Sequence, residues 1–214
     1  MVARLLLVGL GNPGDRYAAN RHNIGFRAID AIARMYAFAP FRSRFQGEMA
    51  AGRLDDREIL ALKPMTFMND SGRPVAAAAR FFKIPVTDIV VFHDEIDLVA
   101  GKMRVKRGGG AAGHNGLRSI DAHLGPEYRR VRLGVGHPGG RERVVGHVLA
   151  DFSAADADWL EPLLAACAQH LPLLLAGDEG QYMSKVALAL QPPKAQASAA
   201  ASESEAVADK RRGV

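Results

Sequence analysis

The sequence predicts a single-domain α/β fold: a twisted mixed β-sheet flanked by helices in three layers (α/β/α) over residues 1–190, with a disordered C-terminal tail at 191–214. Three observations lead there. Residues 4–8 and 89–92 are continuous apolar runs, short enough to be strands buried on both faces. Segments 24–35, 73–82 and 115–124 carry apolar residues at helical spacing, and strands alternating with helices form a sheet covered on both sides. From Gln191 onward the chain turns to Ala, Ser, Pro and charge without periodicity, a composition too poor in apolar residues to fold.

Taken in order, the strand at 4–8 runs into a loop, 9–23. The helix at 24–35 places Ile24, Ala28, Ile29, Ile32 and Met35 on one side. Residues 49–54 and 58–62 read as paired strands around the polar turn Asp55-Asp56. A loop at 63–70 precedes a helix over 73–82 that stops before Pro85, and 89–92 is a central strand. Residues 102–106 alternate basic and apolar side chains like an amphipathic strand. The glycine-rich loop 108–113 then leads into a helix near 115–124, and 130–136 returns as a strand. Ser153-Ala154-Ala155-Asp156 has the form of a helix start, with a serine cap and an acid in the first turn. That helix turns Trp159, Leu160, Leu163 and Leu164 inward, and Pro162 and Pro172 are expected to bend or divide it. A short helix near 181–190 closes the folded part.

Composition sets limits on function. The 214 residues suit one domain, and no apolar run is long enough to span a bilayer. The apolar N-terminal stretch passes straight into Gly11-Asn12-Pro13-Gly14 without a small-residue cleavage pattern, so it reads as a strand, not a signal peptide, and the expected location is the cytoplasm. Cys167 is the only cysteine, which excludes an internal disulfide. Its leucine neighbours at helical spacing make it a core residue rather than a nucleophile. The net charge of +5 is unevenly placed: residues 101–147 hold ten Lys or Arg against three acids, +7 for that segment and −2 for the rest. Such a patch suits a polyanionic partner, although charge alone fits a solvated face equally well.

Gly9-Leu10-Gly11-Asn12-Pro13-Gly14 matches the glycine pattern of dinucleotide-binding loops. Pro13 has no backbone N–H, residues 15–20 show no apolar helical face, and Asp30 lies inside a helical pattern instead of ending a second strand. A nicotinamide-dependent oxidoreductase is therefore the weaker reading, and the glycines serve a tight turn that holds Asn12 at the strand's carboxyl end. His22 alone would be an ordinary loop histidine. His93-Asp94-Glu95-Ile96-Asp97, however, follows the strand at 89–92 and also sits at a carboxyl end, where α/β sheets bind ligands. A carboxylate from Asp94 against one nitrogen of His22 would fix its tautomer and leave the other to take a proton from water.

Residues 93–97 also offer four potential metal ligands, but no second cluster completes a shell, so a site without metal or cofactor is preferred. Asn12, Asn69 and Asn115 each follow a turn and singly read as turn or cap residues; together they offer neutral donors and acceptors for amide and hydroxyl groups. The loop 108–113, flanked by Lys106, Arg107 and Arg118, suits a phosphate. The chain has no G-x-S-x-G elbow, and activated water can suffice without a nucleophilic serine or cysteine.

The ordered set formed by residues 9–14, Tyr17 with Arg21-His22-Asn23, Phe67-Met68-Asn69 with Ser71-Gly72, His93-Asp94-Glu95, Gly108-Gly109-Gly110 with Gly113-His114-Asn115-Gly116-Leu117, and Gly134-Val135-Gly136-His137-Pro138-Gly139 resembles the bacterial-type peptidyl-tRNA hydrolases. It covers most of residues 3–149. The resemblance implies a monomeric, cofactor-free carboxylic-ester hydrolase that frees tRNA from its peptide at the 3′-terminal ribose and so recycles prematurely released peptidyl-tRNA. It also implies His22 as proton acceptor, Asp94 as its support and Asn12 as the sensor of the blocked amino group's amide. Tyr17, Phe67, Asn69 and Asn115 would line the tRNA 3′ end and the peptide, and Arg104, Lys106 and Arg132 would hold phosphates. Ala111-Ala112 departs from the pattern, which often has a histidine after the triple glycine. A non-catalytic RNA-binding protein of the same fold is the rival reading, and it has no need of the His22–Asp94 pair.

Overall fold

In the computed structural model, which describes residues 4–191, a seven-stranded sheet runs in the order β2-β3-β4-β1-β5-β7-β6. Strand β1 (Arg4–Gly9) lies between parallel neighbours β4 (Arg57–Pro64) and β5 (Ile89–Glu95) and is buried on both faces, as its unbroken apolar run requires. Leu5 and Leu7 enter one core; Leu6 and Val8 enter the other. The flanks are antiparallel. β3 (Gly47–Leu54) pairs with β4 around the Asp55-Asp56 turn, and β6 (Met103–Arg107) pairs with β7 (Arg129–Gly134), which is itself parallel to β5.

Helix α1 (Ile24–Met35) occupies the first face with α5 (Ala157–Gln169), α6 (Leu171–Leu175) and α7 (Glu179–Ala189). Helices α2 (Gly72–Phe82) and α3 (Asn115–Leu124) cover the second. These are the three layers expected. A short helix, α4 (Val144–Val148), stands apart at the carboxyl end of the sheet, lining the cleft described below.

The chain leaves β1 toward β4 and leaves β5 toward β7, so a crevice opens outside the carboxyl ends of β1 and β5. Two glycines let the backbone close up behind it. A Cβ on Gly9 would strike the carbonyl of Gly25, and one on Gly25 would strike the Phe92 carbonyl and the Leu10 amide. The first glycine of the 9–14 motif therefore serves the packing of α1 against β1 and β5, not a helix that begins at a bound pyrophosphate.

Two expectations need correction. Pro162 stays inside an unbroken α5: both it and Asp158, whose carbonyl loses its partner, are exposed, so water takes the freed group. The division falls only at Pro172, in the first turn of α6, where a proline's missing N–H costs nothing. An unanticipated strand, β2 (Arg42–Arg44), forms the edge beside β3, and β7 stops two residues short of Gly136. The tail expected at 191–214 lies, except for Gln191, outside the described residues.

Candidate active site

His22 sits in a 3-10 turn, Arg21–Asn23, directly before α1, and Asp94 is the penultimate residue of β5. Their side chains meet, with His22 Nδ1 2.8 Å from Asp94 Oδ1. A third residue joins from the opposite layer: His114, the N-cap of α3, places Nε2 3.0 Å from the same oxygen. Asp94 is thus reached from the α1 side and the α3 side at once.

Hydrogen-bond partners assign both tautomers. His114 Nδ1 accepts the backbone N–H groups of Gly116 (3.1 Å) and Leu117 (3.4 Å), so it carries no proton and Nε2–H donates to Asp94. In His22 the proton on Nδ1 faces Asp94, and Nε2 has no partner among the described residues. Burial pulls the His22 pKa down, but the charge and hydrogen bond of Asp94 outweigh it, and the net lies above the usual 6.5. Burial would raise Asp94; the two imidazoles that donate to it hold it well below the ordinary carboxylate range. His93, one residue earlier, points to the other side of the pleat. It is 1% exposed, donates Nδ1–H to the Asp94 carbonyl at 2.7 Å, and is pushed by burial and by neighbouring His114 to a pKa of about 3. The cluster 93–97 does not converge as one ligand set.

The group that does converge is His22, Asp94 and His114, whose candidate atoms lie within 4.8 Å of one another. Both imidazoles approach a single carboxylate oxygen at hydrogen-bond distance, and His114 has its other nitrogen committed to the helix cap. The atoms are spaced for shared protons. A metal bound at His114 Nε2 would have to displace the proton that this arrangement keeps there.

The cleft, of about 380 Å³, is lined by His22, Asp94 and Asn115, by the loop 111–114, by Arg118 and Arg141, and by Val144, Val145 and Val148 of α4. Asn12 does not line the cleft but is clamped by Asn23, the neighbour of His22, and is 7% exposed: each backbone polar group of Asn12 pairs with the Asn23 amide at 2.9 Å. Asn12 Oδ1 accepts the Met68 N–H at 2.8 Å, which leaves its Nδ2 without a partner among the described residues. The same bond ties the turn Met68–Asp70 to Asn12; Asn69 and Phe67 (55% exposed) are exposed there and do not line the cleft. Tyr17 is half-buried in the turn Asp15–Tyr17, with the Arg16 guanidinium 4.5 Å over its ring.

Arg104, Lys106 and Arg132 lie away from the cleft, on the outer strands β6 and β7, where Arg104 faces Arg132 and Lys106 faces Arg130 in register. Arg130 is consumed structurally: it bonds Gly110 O (2.8 Å) and Asp121 (3.0 Å) and braces the glycine loop. Arg132 donates Nε to Glu95 at 2.8 Å, so only its outer nitrogens are free among the described residues. Arg104 and Lys106 are exposed and have no acidic partner among the described residues.

Sequence reasoning paired His22 with Asp94, which lie 2.8 Å apart, but missed His114 and Asn23, although both stand in the motifs named above. The available signal was a histidine just before a helix start, where a ring nitrogen can cap.

Among the described residues lining the cleft there is no serine, threonine or cysteine to attack a carbonyl. Fold and cleft together define an α/β protein with a His–Asp hydrogen-bonded pair at the carboxyl end of its sheet. The family model described as peptidyl-tRNA hydrolase matches residues 6–196. The peptidyl-tRNA hydrolase of Parvibaculum lavamentivorans is 58% identical over 189 residues, covering 88% of this chain and 92% of its own length. That of Bradyrhizobium diazoefficiens is 59% identical over 186 residues, covering 87% and 92%. The crystal structure of the Acinetobacter baumannii peptidyl-tRNA hydrolase matches with a TM-score of 0.81 at 38% identity, over 87% of this chain and 95% of that one. The chain belongs to the peptidyl-tRNA hydrolase family.

Proposed function

We propose that this family member cleaves the ester between the peptide and the 3′-terminal ribose of tRNA with water activated at Nε2 of His22. The imidazole takes a proton as the water oxygen adds to the ester carbonyl. Collapse of the tetrahedral intermediate breaks the bond to the ribose oxygen, and the imidazolium returns its proton to that leaving group. Asp94 holds the Nδ1–H tautomer and stabilises the imidazolium; His114 orients Asp94. Asn12, with Oδ1 occupied by Met68, offers Nδ2–H to the carbonyl of the first peptide bond, a group absent from unblocked aminoacyl-tRNA.

Asn69 and Asn115 supply further polar contacts to the substrate's ends. Tyr17 and Phe67 pack against the tRNA 3′ end, and Arg104, Lys106 and Arg132 hold phosphates of the acceptor arm. The catalytic unit is residues 1–190, acting as a monomer in the cytoplasm. No helix among the described residues is long and apolar enough to cross a membrane.

The carrying observation is the 2.8 Å bond from His22 Nδ1 to a buried carboxylate, with Nε2 left free. The test is turnover of N-acetyl-aminoacyl-tRNA by His22→Ala in the presence of a chelator. Loss of most turnover with tRNA binding retained is expected, as is a wild-type rate that the chelator does not change. Wild-type turnover in His22→Ala would remove the base. A chelator-sensitive rate restored by zinc would turn the His22, Asp94 and His114 group into a metal site.

A further inference from the structure

The residues just before His22 are tied to a segment more than a hundred positions away. Asn20 and Asp151 form an isolated antiparallel bridge, framed by Arg21 N–H to Ala150 O (3.0 Å) and Phe152 N–H to Ala19 O (2.9 Å). Side chains repeat the link. Asn20 Nδ2 donates to Asp151 Oδ1 at 2.6 Å; Arg21 donates Nη1 to the Asp151 carbonyl at 2.8 Å and Nη2 to Asp156 at 2.9 Å. The Arg21–Asp156 pair is mostly buried, with side-chain exposures of 15% and 16%. Asp156 is itself fixed by the capping box with Ser153 that begins α5. The chain entering this bridge at Ala150 has just left α4, whose Val144, Val145 and Val148 line the same cleft as His22.

We infer that Arg21 is a positioning residue: with Asn20 it locks the turn that carries the His22 base to the exit of α4 and to the start of α5, so that base and cleft wall keep one spacing. The inference rests on His22 being the base. Other bonds also hold the turn, Asn23 clamping Asn12 at its far end and Asp94 taking the ring of His22, but the bonds of Asn20 and Arg21 tie it to the exit of α4 and the start of α5. A planar guanidinium that reaches a carbonyl and a carboxylate at once does what a single ammonium cannot. Removing it lets His22 and the wall drift apart, and displacements below an ångström at a reacting centre cost rate more than binding.

The experiment compares Arg21→Met and Arg21→Lys with the wild type in steady-state turnover of N-acetyl-aminoacyl-tRNA, well below each protein's unfolding temperature. It also follows the hydrogen-bonded Nδ1 proton of His22 by NMR. Arg21→Met should lower kcat about tenfold with KM within twofold, and the His22 proton signal should broaden or shift. Arg21→Lys should recover part of both. Unchanged kcat in folded Arg21→Met overturns the proposal, as does a loss confined to KM with the His22 signal intact, which would make Arg21 an RNA contact. His22→Ala in the same assay separates the two ideas: if it is inactive while Arg21→Met is normal, only the link is lost; if His22→Ala is active, the base assignment itself has failed.

Discussion

His22 and His114 reach the same oxygen of Asp94, yet only His22 keeps a ring nitrogen to offer, because both His114 nitrogens are occupied, one capping α3 and one donating. This asymmetry sets the pH dependence. As the proposed base, His22 works only when neutral, and Asp94 raises its pKa above 6.5, so kcat/KM should rise with pH and level off only above that value. In Asp94→Asn the carboxylate's upward pull disappears and burial, which lowers the histidine, remains. The rising limb should therefore move to lower pH than in the wild type. The plateau should fall about 100-fold or more, because an uncharged amide neither stabilises the imidazolium nor enforces the Nδ1–H tautomer. A pH–rate series on both proteins decides this, and a limb that stays in place after the substitution would separate Asp94 from the titrating group.

At the scale of elements, β6 and β7 set cations opposite cations, Arg104 against Arg132 and Lys106 against Arg130, an arrangement that costs a sheet stability. Glu95 and Asp121 relieve the β7 members, which leaves Arg104 and Lys106 uncompensated. The double substitution Arg104→Gln, Lys106→Gln should raise the melting temperature of the free protein by about 1 °C. It should also weaken tRNA binding and reduce the salt slope of that binding by about one per cation removed. Both signs are needed: a lower melting temperature with an unchanged slope would make the strip a structural feature.

Elements also differ in how well the sequence announced them. β1 and β5 were legible because burial on both faces demands an unbroken apolar run, and α1 because Ile24, Ala28, Ile29 and Ile32 keep helical spacing, although Met35, expected on the same side, ends the helix 47% exposed. β2 was not: Arg42-Ser43-Arg44 buries nothing and is a strand only through backbone pairing with β3. Pro162 misled because the cost of a helical proline depends on whether the orphaned carbonyl meets water, which spacing does not reveal.

Across the whole molecule, the site was legible to the extent that it follows from topology. The sequence expected Asp94 on a loop after a strand at 89–92; β5 instead runs on to Glu95, and its carboxyl end still meets the segment that follows the adjacent parallel strand β1, where His22 and Asp94 come together. What topology does not specify stayed hidden: the cap role of His114, the wall supplied by α4, and the burial of His93 beneath the cleft, with its Nε2 enclosed and unpaired among the described residues. That burial has a consequence for folding. A histidine kept neutral down to a pKa of about 3 in the native state, but titrating near 6.5 when unfolded, binds fewer protons folded than unfolded throughout that window. Stability therefore falls as pH drops from 6.5 toward 3. His22 does not offset this, because its raised pKa adds stability that is already fully present below 6.5, and the depressed Asp94 begins to lose its contribution only below the ordinary carboxylate value. Between pH 7 and 4.5 His93 should account for a loss of about 2–3 kcal/mol. Urea unfolding of wild type and His93→Asn at both pH values isolates it. The variant, which starts less stable at pH 7 because a buried ring is replaced by a smaller group, should lose correspondingly less on acidification, so that the two curves converge. Equal losses in the two proteins would mean that His93 takes up its proton without unfolding the sheet around it.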